Sequence, residues 1–172
     1  MENIDIAKVG LAEIEALEEV SKRTFIETYG EKNTADNMEK YLLENFSTAK
    51  LIEQVNNPDS EFYLAVLNTG VIGYIKINIG NAQTETGHDN AIELERIYVV
   101  KEKQGKKIGQ LLCNKAFQLG QKYKADYLWL GVWEENLKAI RFYKKYGFVE
   151  FGKHIFKLGE DDQKDIMMKL KL

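Results

Sequence analysis

One stretch of this 172-residue chain restricts its fold more than any other: Glu93 to Tyr123, ELERIYVVKEKQGKKIGQLLCNKAFQLGQKY. Leu94, Ile97, Tyr98, Val99 and Val100 form a β run, and Ile108, Leu111, Leu112, Ala116 and Leu119 then recur at helical spacing. A lysine-rich turn joins them, so the unit reads strand, loop, helix. Residues 126–133 (DYLWLGVW) supply the next strand, and a strand–helix–strand crossover in one sheet requires a parallel pair. The loop KQGKKIG sets Gly105 and Gly109 at the start of the helix, where unpaired backbone N–H groups and the helix dipole attract phosphate. Lys101, Lys103, Lys106 and Lys107 add full charges. A plain βα connection has much the same look, so a phosphate site needs a second witness.

That witness is Asn136 to Phe148, NLKAIRFYKKYGF, where Ala139, Ile140 and Tyr143 fall on one side of a helix that Gly147 ends. The two stretches together resemble the cofactor half of the GNAT superfamily of acyl-CoA N-acyltransferases. Its loop pattern, Q/R-x-x-G-x-G/A, matches Gln104 to Gly109 except at Lys107. A lysine there must keep its stem clear of a pyrophosphate, while its ammonium still favours the anion. The motifs that carry the likeness span roughly residues 60–172.

The rest of the chain reads as one α/β domain, residues 1–172. Residues 4–9 alternate as a strand. Leu11, Ile14, Leu17, Ser21, Phe25 and Tyr29 mark the buried side of a helix; Met38, Tyr41, Leu42 and Phe46 mark a second, and Leu51, Ile52 and Val55 a third before Pro58. Residues 61–67 and 71–79 form a hairpin about Asn68, Thr69 and Gly70; residues 80–91 are a loop carrying His88; and FVEFGKHIFKL with KDIMMKLKL closes the chain as a hairpin across Gly159 and Asp161. The fold that the resemblance implies is a single mixed, mostly antiparallel sheet with a central splayed parallel pair, flanked by helices. It also places the N-terminal helices over the acceptor groove, where Phe25, Tyr29, Glu31 and Tyr41 either meet substrate or serve as core and solvated face.

Composition bounds the function. The net charge of −3 gives no support to nucleic-acid binding, and no apolar run approaches the ~18 residues of a membrane span. The acidic N-terminus MENIDIAKVG is unlike a signal peptide, and a cytoplasmic protein is expected. Cys113, the one cysteine, excludes an intrachain disulfide and reads as a packed thiol; with only His88 and His154 beside it, no metal site is expected. His88 itself reads as an exposed loop residue. The charge is unevenly placed: Glu27 to Glu95 holds 12 acidic and 4 basic residues, a balance of −8, and Lys101 to Lys124 holds 1 acidic and 7 basic, a balance of +6.

Acyl transfer from a thioester to an amine needs a neutral nucleophile, a polarised carbonyl and a proton for the thiolate. The resemblance implies acetyl-CoA as co-substrate and assigns its contacts to Ile97, Tyr98, Val99, Gln104, Gly105, Lys106, Lys107, Ile108, Gly109, Asn136, Lys138 and Tyr143. The Ile97 N–H takes the carbonyl in this scheme, and Asn136 the pantetheine or pyrophosphate side. Tyr143 matches the tyrosine that protonates the cofactor sulfur; the alternative is a core aromatic beside Phe142 and Tyr146. Glu93 and Glu95 share a side of a regular strand, and either of them, or water, can serve as base; a bulge would turn one away.

Over its whole length the chain is similar to PaiA-type bacterial polyamine acetyltransferases, through ELERIYV, WLGVWEENLKAIRFYKKYGFV and GKHIF followed by GEDDQ. That likeness implies a spermidine or spermine acceptor, and the −8 segment is what a polycation would seek. Enzymes acting on ribosomal-protein N-termini carry a glutamate where this chain has Gly131. Protein N-termini, other small amines and a non-catalytic acyl-CoA-binding module are the competing readings, with a homodimer left open.

Overall fold

The computed structural model describes residues 3–172. Seven strands form one sheet in the order β1-β2-β3-β4-β5-β7-β6. In chain order these are β1 (Ile4–Lys8), α1 (Ile14–Tyr29), α2 (Ala35–Phe46), α3 (Thr48–Asn56), β2 (Ser60–Leu67), β3 (Gly70–Asn78), β4 (Ala91–Val99), α4 (Ile108–Lys122), β5 (Tyr127–Trp133), α5 (Leu137–Tyr146), β6 (Val149–Leu158) and β7 (Asp161–Lys171). Every pairing is antiparallel except β4 with β5. This is the mixed sheet expected, with its one parallel pair at the centre.

The parallel pairing is short. Ala91, Ile92 and Glu93 pair with Tyr127, Leu128 and Trp129; beyond them the two strands separate. Helices cover both faces. α1 packs on β3 and β4 with α2 and α3 around it, and α4 packs on β3, β4 and β5 from the other side. Gly73, Ile92 and Leu94 belong to the α4 face: a Cβ at Gly73 would lie 3.3 Å from Leu112, and one at Gly120 would lie 3.2 Å from Ile92. Tyr74, Arg96 and Tyr98 belong to the α1 face, with Tyr29, Tyr41 and Phe46 over them.

Several local expectations are corrected. Leu11 belongs to a 3₁₀ turn before α1 and is exposed, and Ile52 is also exposed. In α4 the buried side is Ile108, Leu112, Cys113, Ala116 and Leu119, whereas Leu111 is 41% exposed, because the stripe drifts round the helix toward Cys113. The closing hairpin is as expected, and tight: Gly159, with φ +62°, and Glu160 make a two-residue turn, and Asp161 already pairs with Leu158. His88 is half-buried, its ring stacked 4.6 Å from Trp129 and Nδ1 2.6 Å from the Tyr127 hydroxyl.

Candidate active site

Where β4 and β5 separate, a cleft of about 570 Å³ passes between them. Its walls come from both faces of the sheet: Gln104, Gly105, Gly109 and Tyr143 from the α4 and α5 side, and Thr28, Tyr29 and Trp133 from the α1 side. The backbone of β4 from Leu94 to Val99 faces this gap without a parallel partner, and such a strand edge can pair with an extended ligand. The splay therefore lets two ligands approach one point from opposite faces of the sheet.

The loop before α4 is built for an anion. Gly105 has φ +80° and Lys107 φ +63°, so the chain doubles back before the helix begins. Lys107 occupies the N-cap position, and no side chain caps the helix. The first-turn N–H groups of α4 are left for a ligand, at the positive end of a 15-residue helix. A Cβ at Gly105 would meet nothing within 4 Å, and at Gly109 only Phe142 Cζ at 4.0 Å, so the cradle is open. Gln104 is held at its edge, donating to the Val99 carbonyl at 3.1 Å and accepting from Lys138 Nζ at 2.8 Å.

Of the residues assigned to the cofactor from sequence, Ile97, Tyr98, Val99, Gln104, Gly105, Lys107, Gly109, Asn136, Lys138 and Tyr143 all line the cleft. Lys106 is exposed away from it, and the Ile108 side chain is core at 2% exposure, so Ile108 can offer only its backbone. Asn136 has a further task, its Oδ1 accepting from Ala139 N at 3.1 Å as the N-cap of α5. Tyr143 is buried on the inner side of α5, edge-on to Phe142 and Phe148. Burial first, then Cys113 and Tyr98, hold its phenol far above its ordinary range, so it stays protonated.

The two glutamates behave differently. A bulge does interrupt β4, its register against β3 jumping from Leu94 to Arg96 across Ile77 and Lys76 and leaving Glu95 unopposed.

 Leu94 pairs with Ile77 and Arg96 with Lys76, so the extra residue puts Glu95 and Arg96 on the side that carries Glu93. The bulge thus turns neither glutamate away; it moves Ile97 to the α4 face. Both carboxylates accept from Asn78 Nδ2, at 3.0 Å to Glu93 and 2.6 Å to Glu95. Glu93 also accepts from the Thr84 N–H at 2.8 Å and the Thr84 hydroxyl at 2.5 Å, is 3% exposed, and does not reach the cleft. Burial and the neighbouring Glu95 raise its pKa. Glu95 lines the cleft. Burial pushes its pKa up, but Arg96 and Lys76 outweigh that and hold it below the ordinary carboxylate range. Lys76 Nζ is 2.5 Å away and Arg96 Nη2 3.5 Å.

Phe25 and Glu31 stay out of the cleft, the first as core and the second as exposed surface; Tyr41 stacks on Phe25 with ring centroids 4.3 Å apart. Tyr29 does line the cleft, against Trp133 at 5.1 Å. Sequence reasoning missed Trp133, Lys76 and Asn78. Lys76 and Asn78 carried a signal, as polar residues inside an otherwise apolar β run, VIGYIKINI. No group of three His, Cys, Asp or Glu residues that could hold a metal occurs among the described residues, and none of the described helices is long and apolar enough to cross a membrane.

A splayed parallel pair beside an open, uncapped helix start is the arrangement that the sequence resemblance requires. The acetyltransferase (GNAT) family model matches residues 14–148. The chain belongs to the GNAT acetyltransferase family. It is 34% identical to an uncharacterized N-acetyltransferase of Lactobacillus delbrueckii subsp. lactis, over 98% of each chain. It is 28% identical to the spermidine N(1)-acetyltransferase of Thermoplasma acidophilum, again over 98% of each. Among solved structures, the Thermoplasma acidophilum PaiA N-acetyltransferase in complex with coenzyme A superposes with a TM-score of 0.80 at 26% identity, over 99% of each chain. A putative streptothricin acetyltransferase from Bacillus anthracis in complex with acetyl coenzyme A matches more partially, with a TM-score of 0.58 at 25% identity, over 70% of this chain and 66% of that one. As a family member this chain is an acyltransferase that moves an acetyl group to an amine.

Proposed function

We propose that this enzyme transfers the acetyl group of acetyl-CoA to a primary amine of a polyamine such as spermidine, by direct attack in the cleft between β4 and β5. The observation that carries this reading is the cleft's passage through the sheet, with an anion cradle on one face and an aromatic and acidic wall on the other. The spermidine-acetylating relative of nearly equal length supports the choice of acceptor.

On the α4 side the N–H groups at the helix start bind the pyrophosphate, with Gln104, Lys107 and Lys138 around it. The unpaired edge of β4 at Ile97 to Val99 takes the pantetheine arm, and the Ile97 N–H polarises the acetyl carbonyl. Glu95 is the one carboxylate among the described lining residues. Kept ionised by Arg96 and Lys76, it orients the incoming ammonium and takes its proton through water, a weak base suited to relaying rather than storing the proton. Glu93 braces it through Asn78. The neutral amine attacks the carbonyl carbon, the C–N bond forms and the C–S bond breaks. Tyr143 gives its proton to the departing thiolate, and the proton that the new amide nitrogen sheds returns to the phenolate through solvent.

Free-thiol release from acetyl-CoA across spermidine, spermine, aminoglycosides, free amino acids and short peptides tests the reading. Spermidine or spermine should give the highest kcat/KM, and a preference for peptides or amino acids would overturn the polyamine assignment.

A further inference from the structure

Three residues stand in register across β5, β7 and β6: Trp133 opposite Asp165, and Asp165 opposite His154. Trp133 packs on Tyr29, so this row lies on the α1 face, where the acceptor arrives. Gly131, two residues before Trp133 and on the same side of β5, lines the cleft. A Cβ at residue 131 would stand 2.9 Å from His154 Cε1 and 3.1 Å from Asp165 Oδ2. The absence of a side chain there lets the His154 ring and Asp165 pack directly against the part of β5 that lines the cleft.

The pair is incompletely satisfied. His154 Nε2 lies 3.4 Å from Asp165 Oδ2, and Nδ1 lies 3.6 Å from Glu85 Oε1, both long for a hydrogen bond. His154 Nδ1 and Asp165 Oδ1 are buried without a hydrogen-bond partner. Buried polar atoms are seldom left so, and these accept hydrogen bonds when the imidazole nitrogen is unprotonated. The charged groups around His154 are acidic and come from three elements: Asp165 on β7, Glu85 in the loop between β3 and β4, and Glu93 on β4. An ammonium group, with three N–H donors and a positive charge, matches that surrounding.

We propose that the Asp165–His154 pair beside Gly131 is a subsite for a second ammonium group of the acceptor, by which the enzyme selects diamines and polyamines over monoamines. The proposal rests on the polyamine reading above. Asp165 supplies the charge and an acceptor oxygen, and neutral His154 supplies a further acceptor. Protonating His154 cancels the charge of Asp165 and removes that acceptor. Asp165, whose carboxylate faces Nε2 at 3.4 Å, raises the pKa of His154 against the opposing effect of burial. The Michaelis constant for spermidine should therefore rise as pH falls through the His154 titration, while that for butylamine follows only the rest of the site.

The test is steady-state kinetics with spermidine and butylamine on the wild type, Asp165→Asn, Gly131→Ala and His154→Gln, with acetyl-CoA binding by calorimetry as the check on folding. In Asp165→Asn and Gly131→Ala the ratio of kcat/KM for spermidine to that for butylamine should fall by about tenfold to hundredfold, the worth of a charge-assisted hydrogen bond. In His154→Gln the spermidine Michaelis constant should lose its rise toward acid pH. An unchanged ratio in variants that bind acetyl-CoA would overturn the subsite and leave the polyamine reading standing. Should Asp165→Asn fail to fold, the His154→Gln profile decides, and a rise parallel to the wild type's would overturn the subsite. A wild type that ignores spermidine would overturn both readings.

Discussion

The two mouths of the cleft are built on different principles. On the α4 side the groups that face a ligand are mostly backbone: the first N–H groups of α4 and the unpaired edge of β4, shaped by positive φ at Gly105 and Lys107. On the α1 side they are side chains from distant elements, Tyr29, Glu95 and Trp133, with His154 and Asp165 packed behind Gly131. A backbone cradle depends on loop conformation and tolerates sequence drift at positions that point outward. A side-chain wall depends on register, so one changed residue can change the acceptor. The contrast explains how a single scaffold keeps one acyl donor while its amine varies.

The sharpest way to separate the two mouths acts at the point between them. Tyr143→Phe should leave acetyl-CoA affinity nearly intact and lower turnover by on the order of 10²–10⁴, the usual contribution of a positioned acid. Calorimetry and thiol release measure the two quantities, and unchanged turnover would reduce Tyr143 to a packing residue.

The acceptor mouth should be the less forgiving in stability. Lys76→Met removes one partner of a buried ion pair, and the urea midpoint should report a loss of about 3 kcal/mol. Because Arg96 and Lys76 depress the Glu95 pKa in the folded protein, their pairing stabilises the fold above the unfolded carboxylate's pKa and is lost as pH falls through the lower folded value. The difference in stability between wild type and Lys76→Met should therefore shrink across that acid range. A difference that stays constant with pH would contradict the pairing.

In the cradle, Gly109→Val should leave the fold intact, since only Phe142 lies near the new side chain. It should weaken acetyl-CoA binding by about tenfold to hundredfold through crowding of the pyrophosphate. Unaltered affinity would remove the cradle from the account. The smallest effect belongs to Lys107, the one non-glycine in a left-handed conformation within this loop. Lys107→Gly should raise stability by about 1 kcal/mol by relieving that conformation, with the melting temperature as readout. A fall in stability would show that the lysine stem packs favourably there.

The same contrast decides what could be read from the sequence. Glu93 to Tyr123 and Asn136 to Phe148 are contiguous, and their periodicities and glycines announce strand, loop and helix before any tertiary contact is known. The parallel pair, the open helix start and Tyr143 facing the cleft were legible for that reason. Leu111 was assigned to the wrong side because a 3.6-residue period leaves the flank of a stripe undecided. The β4 bulge was not legible at all, since it depends on register against β3; with it went the side on which Arg96 and Tyr98 fall. Likewise His154, Asp165 and Trp133 lie on three strands and meet only through the sheet order β5-β7-β6, which no local pattern encodes.

The central claim is that the two mouths deliver acetyl-CoA and a polyamine to one point between β4 and β5. Incubation with isotopically labelled acetyl-CoA and spermidine, followed by mass spectrometry of the small-molecule products, tests it most directly. The account predicts labelled N-acetylspermidine forming in step with free coenzyme A thiol. Thiol release without acetylated spermidine, or labelled acetyl found only on other amines, would contradict it.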